Sequence, residues 1–403
     1  MKKIVYWKIA LALAFLVIFA YATVRFIAGI PQDNGLNSLP ELNIPQNLGI
    51  KTDSPLGGKV TFESDGVHFD DLAGLWDREI GGLNFMTWAD DRLLVASTTG
   101  RVMALDPLNG DILWSFNVGN WIASHPTYVD GVVYFGSVDH RLYALDANKG
   151  TLNWVFRAEG EILSPPRVVD GMVYFVSDNN LIYDLKTRVY AVEAKEGKQV
   201  WTYDTKGWIS ASPAYGDGVV YLGTYTREAI CLEAVTGLNR WNSLTASLVF
   251  TSPLAGDGVV YYSCIDGNVY ALATEDGKTL WQVSLGEFVW LPPVSSGGVL
   301  LLGSYSQNII ALDSASGDKL WTYNLRDVLD FPPQTSGEQF YAFTATGNVY
   351  VMGLKDGVLE RAYRSGYSFN TTPILVNGMV FANTNDGHVR AFRVPPEPMG
   401  NDL

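Results

Sequence analysis

Cysteine and histidine are scarce in this sequence of 403 residues, which contains two of the former and four of the latter. Two cysteines, Cys231 and Cys264, are too few for a disulfide framework or a cysteine-based metal cluster, so we expect two buried free thiols. The histidines have no metal-ligand spacing; they are His68, His125, His140 and His388. Nucleophile-elbow and phosphate-loop motifs are missing as well. The sequence therefore predicts no catalytic residue, no metal site and no cofactor.

Basic residues are also in deficit, with 28 Lys and Arg against 42 Asp and Glu and a formal net charge of −14. An acidic protein of this kind repels phosphate backbones, which disfavours nucleic-acid binding. Beyond the N-terminus there is no sustained helical period. A content of 13% aromatic residues, 40 glycines and 18 prolines is typical of strands and turns, so we expect an all-β body.

One long hydrophobic run is present, from residue 9 to residue 24, between Lys8 and Arg25. We expect residues 1–30 to form an N-terminal transmembrane helix, retained as a membrane anchor or uncleaved signal segment. Cleavage at the small-x-small sequence Ala20-Tyr-Ala22 is the alternative. The basic N-terminus predicts a single-pass protein of the cytoplasmic membrane, with its body on the extracytoplasmic side. No cysteine follows the run, which excludes a lipid-anchored lipoprotein.

Three further segments follow the predicted anchor. Residues 31–58 are rich in Pro, Asn, Gly and Leu without a period, which indicates a linker. Residues 59–394 form the body, and residues 395–403 are expected to be a flexible tail. The body is thus the part of the chain from which function must be inferred.

The body is a tandem repeat in which a small residue is followed by an acidic residue, a glycine and a tryptophan at fixed offsets, as in Ala144-x-Asp146, Gly150 and Trp154. The repeat tryptophans are Trp76, Trp114, Trp154, Trp201, Trp241, Trp281 and Trp321, with a degenerate copy at Arg361. A period of about 40 to 45 residues with one tryptophan per unit is typical of a four-stranded β-propeller blade.

The number of units predicts eight blades. Markers of inner strands and of outer strands each occur eight times, but the last unit lacks a fourth strand and the strand around Trp76 lacks a blade of its own. Pairing these two would close the ring and leave no open edge. Seven blades, without the unit at Arg361, is the alternative.

The repeat resembles the tryptophan-docking motif of the PQQ-like, or quinoprotein-type, β-propellers over about residues 60–394. The resemblance implies a structural role for the repeat tryptophans, each packing on the next blade with its indole N–H on a backbone carbonyl. Two branches of this superfamily imply different functions. The quinoprotein dehydrogenases hold PQQ and Ca²⁺ and carry adjacent cysteines and long insertions, whereas this chain has neither feature. The BamB-like branch consists of non-enzymatic scaffolds.

We therefore predict a non-catalytic protein-interaction scaffold of a cell-envelope complex, with other envelope or membrane-complex proteins as partners. A PQQ-dependent dehydrogenase and a carbohydrate-binding module remain alternatives. The predicted partner-binding residues are aromatics of the connections between blades, together with the tip of an insertion in the third unit. They are Trp121, Trp208, Phe250, Trp290, Phe331 and Phe369, and Leu181, Ile182 and Tyr183.

The aromatics and the insertion each have an alternative interpretation. The aromatics could instead fill the top of the channel by packing on one another, and the insertion could be an ordinary long hairpin. Three acidic residues of the same connections, Glu161, Glu287 and Asp330, could bind a cation, although we expect a solvated rim.

Overall fold

The computed structural model describes residues 67–178 and 187–394. All of them belong to one compact unit, Lys59–Leu403. The predicted anchor, linker, loop tip and tail lie outside the described residues. Within the described ranges no helix is long and apolar enough to cross a membrane.

The described residues form eight sheets, seven of which follow the repeat directly. Blade 1 contains β3 (Asn84–Ala89), β4 (Arg92–Ser97), β5 (Arg101–Leu105) and β6 (Ile112–Asn117). Blade 2 contains β7 (Thr127–Val129), β8 (Val132–Ser137), β9 (Arg141–Asp146) and β10 (Leu152–Arg157). Blade 3 contains β11 (Arg167–Val169), β12 (Met172–Asp178), β13 (Thr187–Glu193) and β14 (Gln199–Asp204). Blade 4 contains β15 (Ala214–Gly216), β16 (Val219–Gly223), β17 (Glu228–Glu233) and β18 (Asn239–Leu244).

The second half of the ring repeats the pattern. Blade 5 contains β19 (Leu254–Gly256), β20 (Val259–Ser263), β21 (Asn268–Ala273) and β22 (Thr279–Ser284). Blade 6 contains β23 (Val294–Ser296), β24 (Val299–Gly303), β25 (Asn308–Asp313) and β26 (Lys319–Asn324). Blade 7 contains β27 (Gln334–Ser336), β28 (Gln339–Phe343), β29 (Asn348–Gly353) and β30 (Leu359–Arg364), with β1 (Asp70–Asp71) added. Blade 8 contains β31 (Ile374–Val376), β32 (Met379–Asn383), β33 (His388–Arg393) and β2 (Ala73–Glu79).

The N-terminal strand closes the ring, so the prediction of eight blades is confirmed and the seven-bladed alternative is wrong. Strand β2 pairs antiparallel with β33, with Trp76 opposite Ala391. Blade 8 then contacts blade 1, where the side chain of Asn383 accepts a hydrogen bond from the backbone N–H of Asn84 at 3.1 Å. The sequence did not predict β1, which pairs parallel with β30 and gives blade 7 a fifth strand.

Tight turns and buried faces explain why the repeat adopts this shape. Asp130 and Gly131, between β7 and β8, have φ values of 48° and 79°, as a two-residue type I′ hairpin requires. The second and third strands of each blade are almost fully buried, whereas the outer strands are largely exposed. The hydrophobic clusters lie between blades; one joins Tyr134 of blade 2 to Phe175 of blade 3. Faces covered on both sides account for strands without polar alternation.

The repeat tryptophans connect neighbouring blades. Each indole N–H donates to a backbone carbonyl of the next blade. The pairs, with their N···O distances, are Trp76 to Pro107 (2.7 Å), Trp114 to Ala147 (2.8 Å), Trp154 to Ala194 (2.9 Å), Trp201 to Ala234 (2.8 Å), Trp241 to Thr274 (3.0 Å), Trp281 to Ser314 (3.1 Å) and Trp321 to Leu354 (3.2 Å). Each ring also lies against the repeat glycine of that blade; a Cβ at Gly150 would stand 2.4 Å from Trp114. The repeat therefore fixes how blades pack.

Candidate interaction face

One face of the ring is built from the connections between blades, each of which is hydrogen-bonded to a hairpin of the next blade. We call it the crossover face, and it comprises residues 118–126, 158–166, 205–213, 245–253, 285–293, 325–333 and 365–373, with the described residues of the adjoining hairpins between second and third strands. The carbonyl of Trp208, for example, accepts from the N–H of Tyr225 at 2.9 Å. This repeated bond holds each connection against a rigid hairpin, so side chains on the crossover face are positioned by the sheets.

The structure does not bring all six predicted aromatics to the surface. Trp208, Phe250 and Trp290 are partly exposed. Phe331 and Phe369 are only 5% and 3% exposed, and both belong to the hydrophobic core between blades 7 and 8. Those two rings cannot present a surface to a partner while the blades remain packed.

Trp121 is buried as well, at 8% exposure, and its Nε1 has no hydrogen-bond partner among the described residues. The Nε1 atom of Trp290 is likewise unpartnered. An indole N–H normally finds an acceptor. Both Nε1 atoms are themselves buried, so neither donor is presented to a partner at the crossover face.

Two tyrosines that the sequence analysis missed complete the aromatic surface. Tyr225 packs on Trp208 with ring centroids 4.9 Å apart, and Tyr305 packs edge-on against Trp290 at 5.9 Å. Tyr305 is 69% exposed. Both tyrosines follow the last glycine of a second strand, Gly-Thr-Tyr225 and Gly-Ser-Tyr305. That shared spacing is the signal by which they could have been found.

The acidic residues of the crossover face have different environments. Glu287 accepts from the Oγ of Ser304 at 2.5 Å and from the side-chain amide of Asn308 at 2.8 Å. Glu161 pairs through its backbone with Asp178, with N···O distances of 2.9 Å in both directions. Asp330 has one buried carboxylate oxygen without a partner among the described residues. Burial, followed by the charge of Asp327, raises the pKa of Asp330.

Asp327, which the sequence analysis did not single out, is the most extensively bonded of these carboxylates. It is 6% exposed and accepts from Thr344 (2.9 Å), Thr346 (2.7 Å) and the side chain of Asn348 (2.8 Å). Its own connection supplies another donor, the N–H of Val328 at 2.7 Å. Asp327 therefore ties the connection into blade 7 to the hairpin of that blade.

The described residues offer no group of three or more His, Cys, Asp or Glu side chains arranged to hold a metal ion. Cys231 and Cys264 are fully buried free thiols between blades 4 and 5, and burial raises the pKa of each to about 12. The Nδ1–H of His125 donates to the backbone carbonyl of Met86 at 2.9 Å, and burial lowers the pKa of His125. The loop tip at Leu181, Ile182 and Tyr183 lies outside the described residues.

Comparison with known proteins identifies the relatives of this fold. The PQQ_2 family model, described as "Outer membrane protein assembly factor BamB", matches residues 69–161, 133–188, 185–287 and 265–360. Together these matches span well over half of the chain. No curated protein matches the sequence.

Solved structures with this architecture include BamB, a quinohemoprotein alcohol dehydrogenase and a designed protein. BamB from Moraxella catarrhalis superposes with a TM-score of 0.66 at 20% identity, over 80% of this chain and 98% of that one. The quinohemoprotein alcohol dehydrogenase from Comamonas testosteroni gives 0.66 at 15% identity, over 80% and 76%. The computationally designed Ika8 protein gives 0.68 at 13% identity, over 80% and 99%. At such low identities the similarity shows the fold alone.

Proposed function

The chain belongs to the PQQ_2 family of PQQ-like β-propellers, and from that premise we propose that it is a non-catalytic scaffold that holds other proteins of a cell-envelope complex. The proposal includes an N-terminal membrane anchor and an extracytoplasmic propeller. The observation that carries it is the pair of aromatic clusters on the crossover face, Trp208 with Tyr225 and Trp290 with Tyr305. Partly exposed Trp and Tyr on a rigid support are the residue types that dominate protein interfaces.

The exposure of Tyr305 strengthens this assignment, because Tyr305 is 69% exposed and stands edge-on against Trp290. A partner could bury apolar surface on both rings, so this cluster would supply affinity and orientation. The crossover face is also rigid, because hydrogen bonds tie each connection to a hairpin. Little ordering of the propeller would be needed on binding.

The direct test is co-purification from membranes with the full-length chain carrying Trp208→Ala and Trp290→Ala. We expect each change to weaken partner capture by about thirtyfold or more, since truncating an interface anchor typically costs about 2 kcal/mol. Leu280→Ala is the matched control, because Leu280 is 55% exposed on the outer strand β22, away from the crossover face. Capture that is unchanged in both tryptophan variants would refute the proposal. Loss of envelope polysaccharide instead of protein would favour the carbohydrate-binding alternative.

The enzyme alternative requires PQQ and Ca²⁺, and the part of the chain that the structure describes offers no evident set of ligands for the metal ion. The two cysteines are buried between blades, and no carboxylate group of three or more converges among the described residues. Reconstitution with PQQ and Ca²⁺ provides the test: stoichiometric quinone binding with dye-linked alcohol oxidation would overturn the scaffold proposal. We expect neither.

The proposed topology has its own test. Protease added to intact spheroplasts should degrade the propeller, and protection would contradict an extracytoplasmic location. Mass determination of the mature N-terminus distinguishes a retained anchor from a cleaved signal peptide.

A further inference from the structure

Asp330, in the connection that enters blade 7, carries a charge that its surroundings do not compensate. Its Oδ1 is buried without a hydrogen-bond partner among the described residues. Burial, and then the charge of Asp327, raises the pKa of Asp330, and neither a donor nor a cation of the described residues offsets these two effects. An ionised carboxylate in this position is costly unless a further group pairs with it.

The neighbouring acidic residues of the crossover face are satisfied within the propeller. Asp327, three residues earlier in the same connection, accepts hydrogen bonds from side chains of the hairpin between β28 and β29. Glu287 accepts one from the side chain of Asn308 at 2.8 Å. These two carboxylates therefore hold connections in place, whereas Asp330 has no such role.

The hairpin residue that lies beside this connection is small in blade 7. In blade 6 the N–H of Tyr305 donates to the carbonyl of Phe288 at 2.8 Å. In blade 7 the N–H of Ala345 makes the same bond, to the carbonyl of Val328 at 2.9 Å. Ala345 is thus the equivalent of Tyr305, with a methyl group where blade 6 has a phenol ring.

This difference leaves Asp330 uncovered. Trp290 and Asp330 both lie three residues before the proline that precedes an inner strand. Tyr305 packs against Trp290 with ring centroids 5.9 Å apart, but Ala345 is too short to cover Asp330 in the same way. Asp330 and Ala345 are both partly exposed. Since Oδ1 is the buried oxygen, Oδ2 is the oxygen that a ligand can reach.

Apolar surface surrounds this carboxylate. Within the seven connections, exposed large apolar side chains occur only in those that enter blades 6, 7 and 8. They are Phe288 (36% exposed), Val328 (43%) and Tyr367 (40%). Tyr305 adds a further exposed ring in blade 6. An acid set in apolar surface is complementary to a cation that has apolar neighbours of its own.

We propose that a lysine side chain of the partner protein pairs with Asp330, while apolar residues beside that lysine cover Phe288, Tyr305 and Val328. The proposal rests on the scaffold function and names the chemistry of the partner segment. Lysine fits better than arginine, because one accessible oxygen suits an ammonium group, whereas the arginine fork bonds to both oxygens of a carboxylate. The aliphatic stem of lysine also suits an acid surrounded by apolar side chains.

The probe is the capped peptide acetyl-Leu-Lys-Leu-amide, titrated into the full-length chain and followed by saturation-transfer NMR. We expect a dissociation constant on the order of 1 mM, because a short flexible peptide reproduces only part of an interface. Replacing its lysine by norleucine keeps the stem and removes the charge. The affinity should then fall by about tenfold, since a hydrogen bond between charged groups is lost.

Asp330→Asn is the decisive variant, because it removes the charge and keeps the shape. Binding of the lysine peptide should weaken by about tenfold, and binding of the norleucine peptide should not change. Asp257→Asn is the matched control: it alters the net charge equally, but Asp257 lies in the exposed hairpin between β19 and β20, at the other end of its blade. Its φ of 52° is one that asparagine tolerates.

Ala345→Tyr tests the opening beside Asp330 without a change of charge. It introduces the ring that Tyr305 provides in blade 6, in a backbone position that already holds tyrosine in that blade. The ring should cover Asp330 and weaken binding of the lysine peptide. This variant also keeps the test valid if Asp330→Asn alters the connection.

Three results would overturn the proposal. The first is no detectable binding of the lysine peptide at about ten times the expected constant. The second is equal affinity for the lysine and norleucine peptides. The third is an equal loss in Asp330→Asn and Asp257→Asn, which would show general attraction to an acidic protein.

The scaffold function can fail or stand separately from this site. Partner capture that is lost in Trp208→Ala and Trp290→Ala, together with any of those three results, would leave the scaffold proposal intact and refute the lysine site alone. Lysine-specific binding that depends on Asp330, together with unchanged capture in both tryptophan variants, would support the site and refute the proposed function.

Discussion

A matched pair of glycine substitutions in blade 4 isolates the contribution of tryptophan docking to stability. Gly237 has φ +71° and Gly218 has φ +74°, so alanine is equally strained at both. They differ in surroundings: a Cβ at Gly237 would stand 2.6 Å from the ring of Trp201, whereas a Cβ at Gly218 has nothing within 4 Å. The difference between the two variants is therefore the cost of displacing the indole.

The magnitude follows from these contacts. A left-handed backbone costs a non-glycine residue about 1 to 2 kcal/mol, which both variants share. Overpacking adds about 1 to 3 kcal/mol at Gly237, and the bond from Trp201 to Ala234, 2.8 Å long and buried, is worth about 1 kcal/mol. Gly237→Ala should therefore lower the free energy of unfolding by about 2 to 4 kcal/mol more than Gly218→Ala.

Equilibrium urea unfolding of the full-length chain, followed by tryptophan fluorescence and circular dichroism, measures this difference. The comparison is valid if both variants keep the wild-type slope, because the slope reports the surface exposed on unfolding. Equal losses in the two variants would refute the reasoning. That result would mean that the ring of Trp201 can move away from Gly237 at no cost.

Three further outcomes are expected. Bidentate bonding to Arg390 lowers the pKa of Asp386 below its unfolded value of about 3.9. The contribution of this carboxylate to the free energy of unfolding is therefore present above about pH 4 and is lost as the pH falls further. In Asp386→Asn the free energy of unfolding should fall less steeply with acid than in wild type. Cys231 and Cys264, buried and with pKa values raised to about 12, should resist a disulfide reagent at pH 8 in the folded protein and react in denaturant. Asp327→Ala should cost about 2 to 4 kcal/mol in urea unfolding, because several buried donors lose their acceptor; a loss below 0.5 kcal/mol would contradict the network.

The fold could be predicted because its determinants are local or link adjacent repeats. Turns such as Asp130-Gly131 specify the hairpins, and a tryptophan with the next repeat's glycine specifies the contact between blades. The closing strand β2 was found by counting, since an unpaired strand at one end matched a missing one at the other. Strand β1 could not be predicted in this way, because two residues carry no period.

The candidate site was predicted less well, because residue type was used without position. Phe369, Ile209 and Val249 each lie four residues before the proline that precedes an inner strand. All three are buried. Trp290 and Phe250 each lie three residues before that proline, and both are partly exposed. Alignment on the proline therefore separates the inward position from the outward one, whereas aromatic character does not.

The departures from the repeat concentrate where the two ends of the chain meet. The contact between blades 7 and 8 has lost its tryptophan at Arg361, but the N-terminal segment crosses the same contact. Strand β1 pairs with blade 7 and β2 with blade 8, and Leu72 between them is 7% exposed. Its side chain lies in the core that both blades share.

The N-terminal segment therefore supplies apolar burial and backbone pairing where the indole is missing. Ion pairs add to this attachment, since Arg390 of β33 contacts Asp77 of β2 at 3.0 Å and Asp386 at 2.7 Å. The contact that lacks the repeat tryptophan is therefore closed by a segment that pairs with both blades.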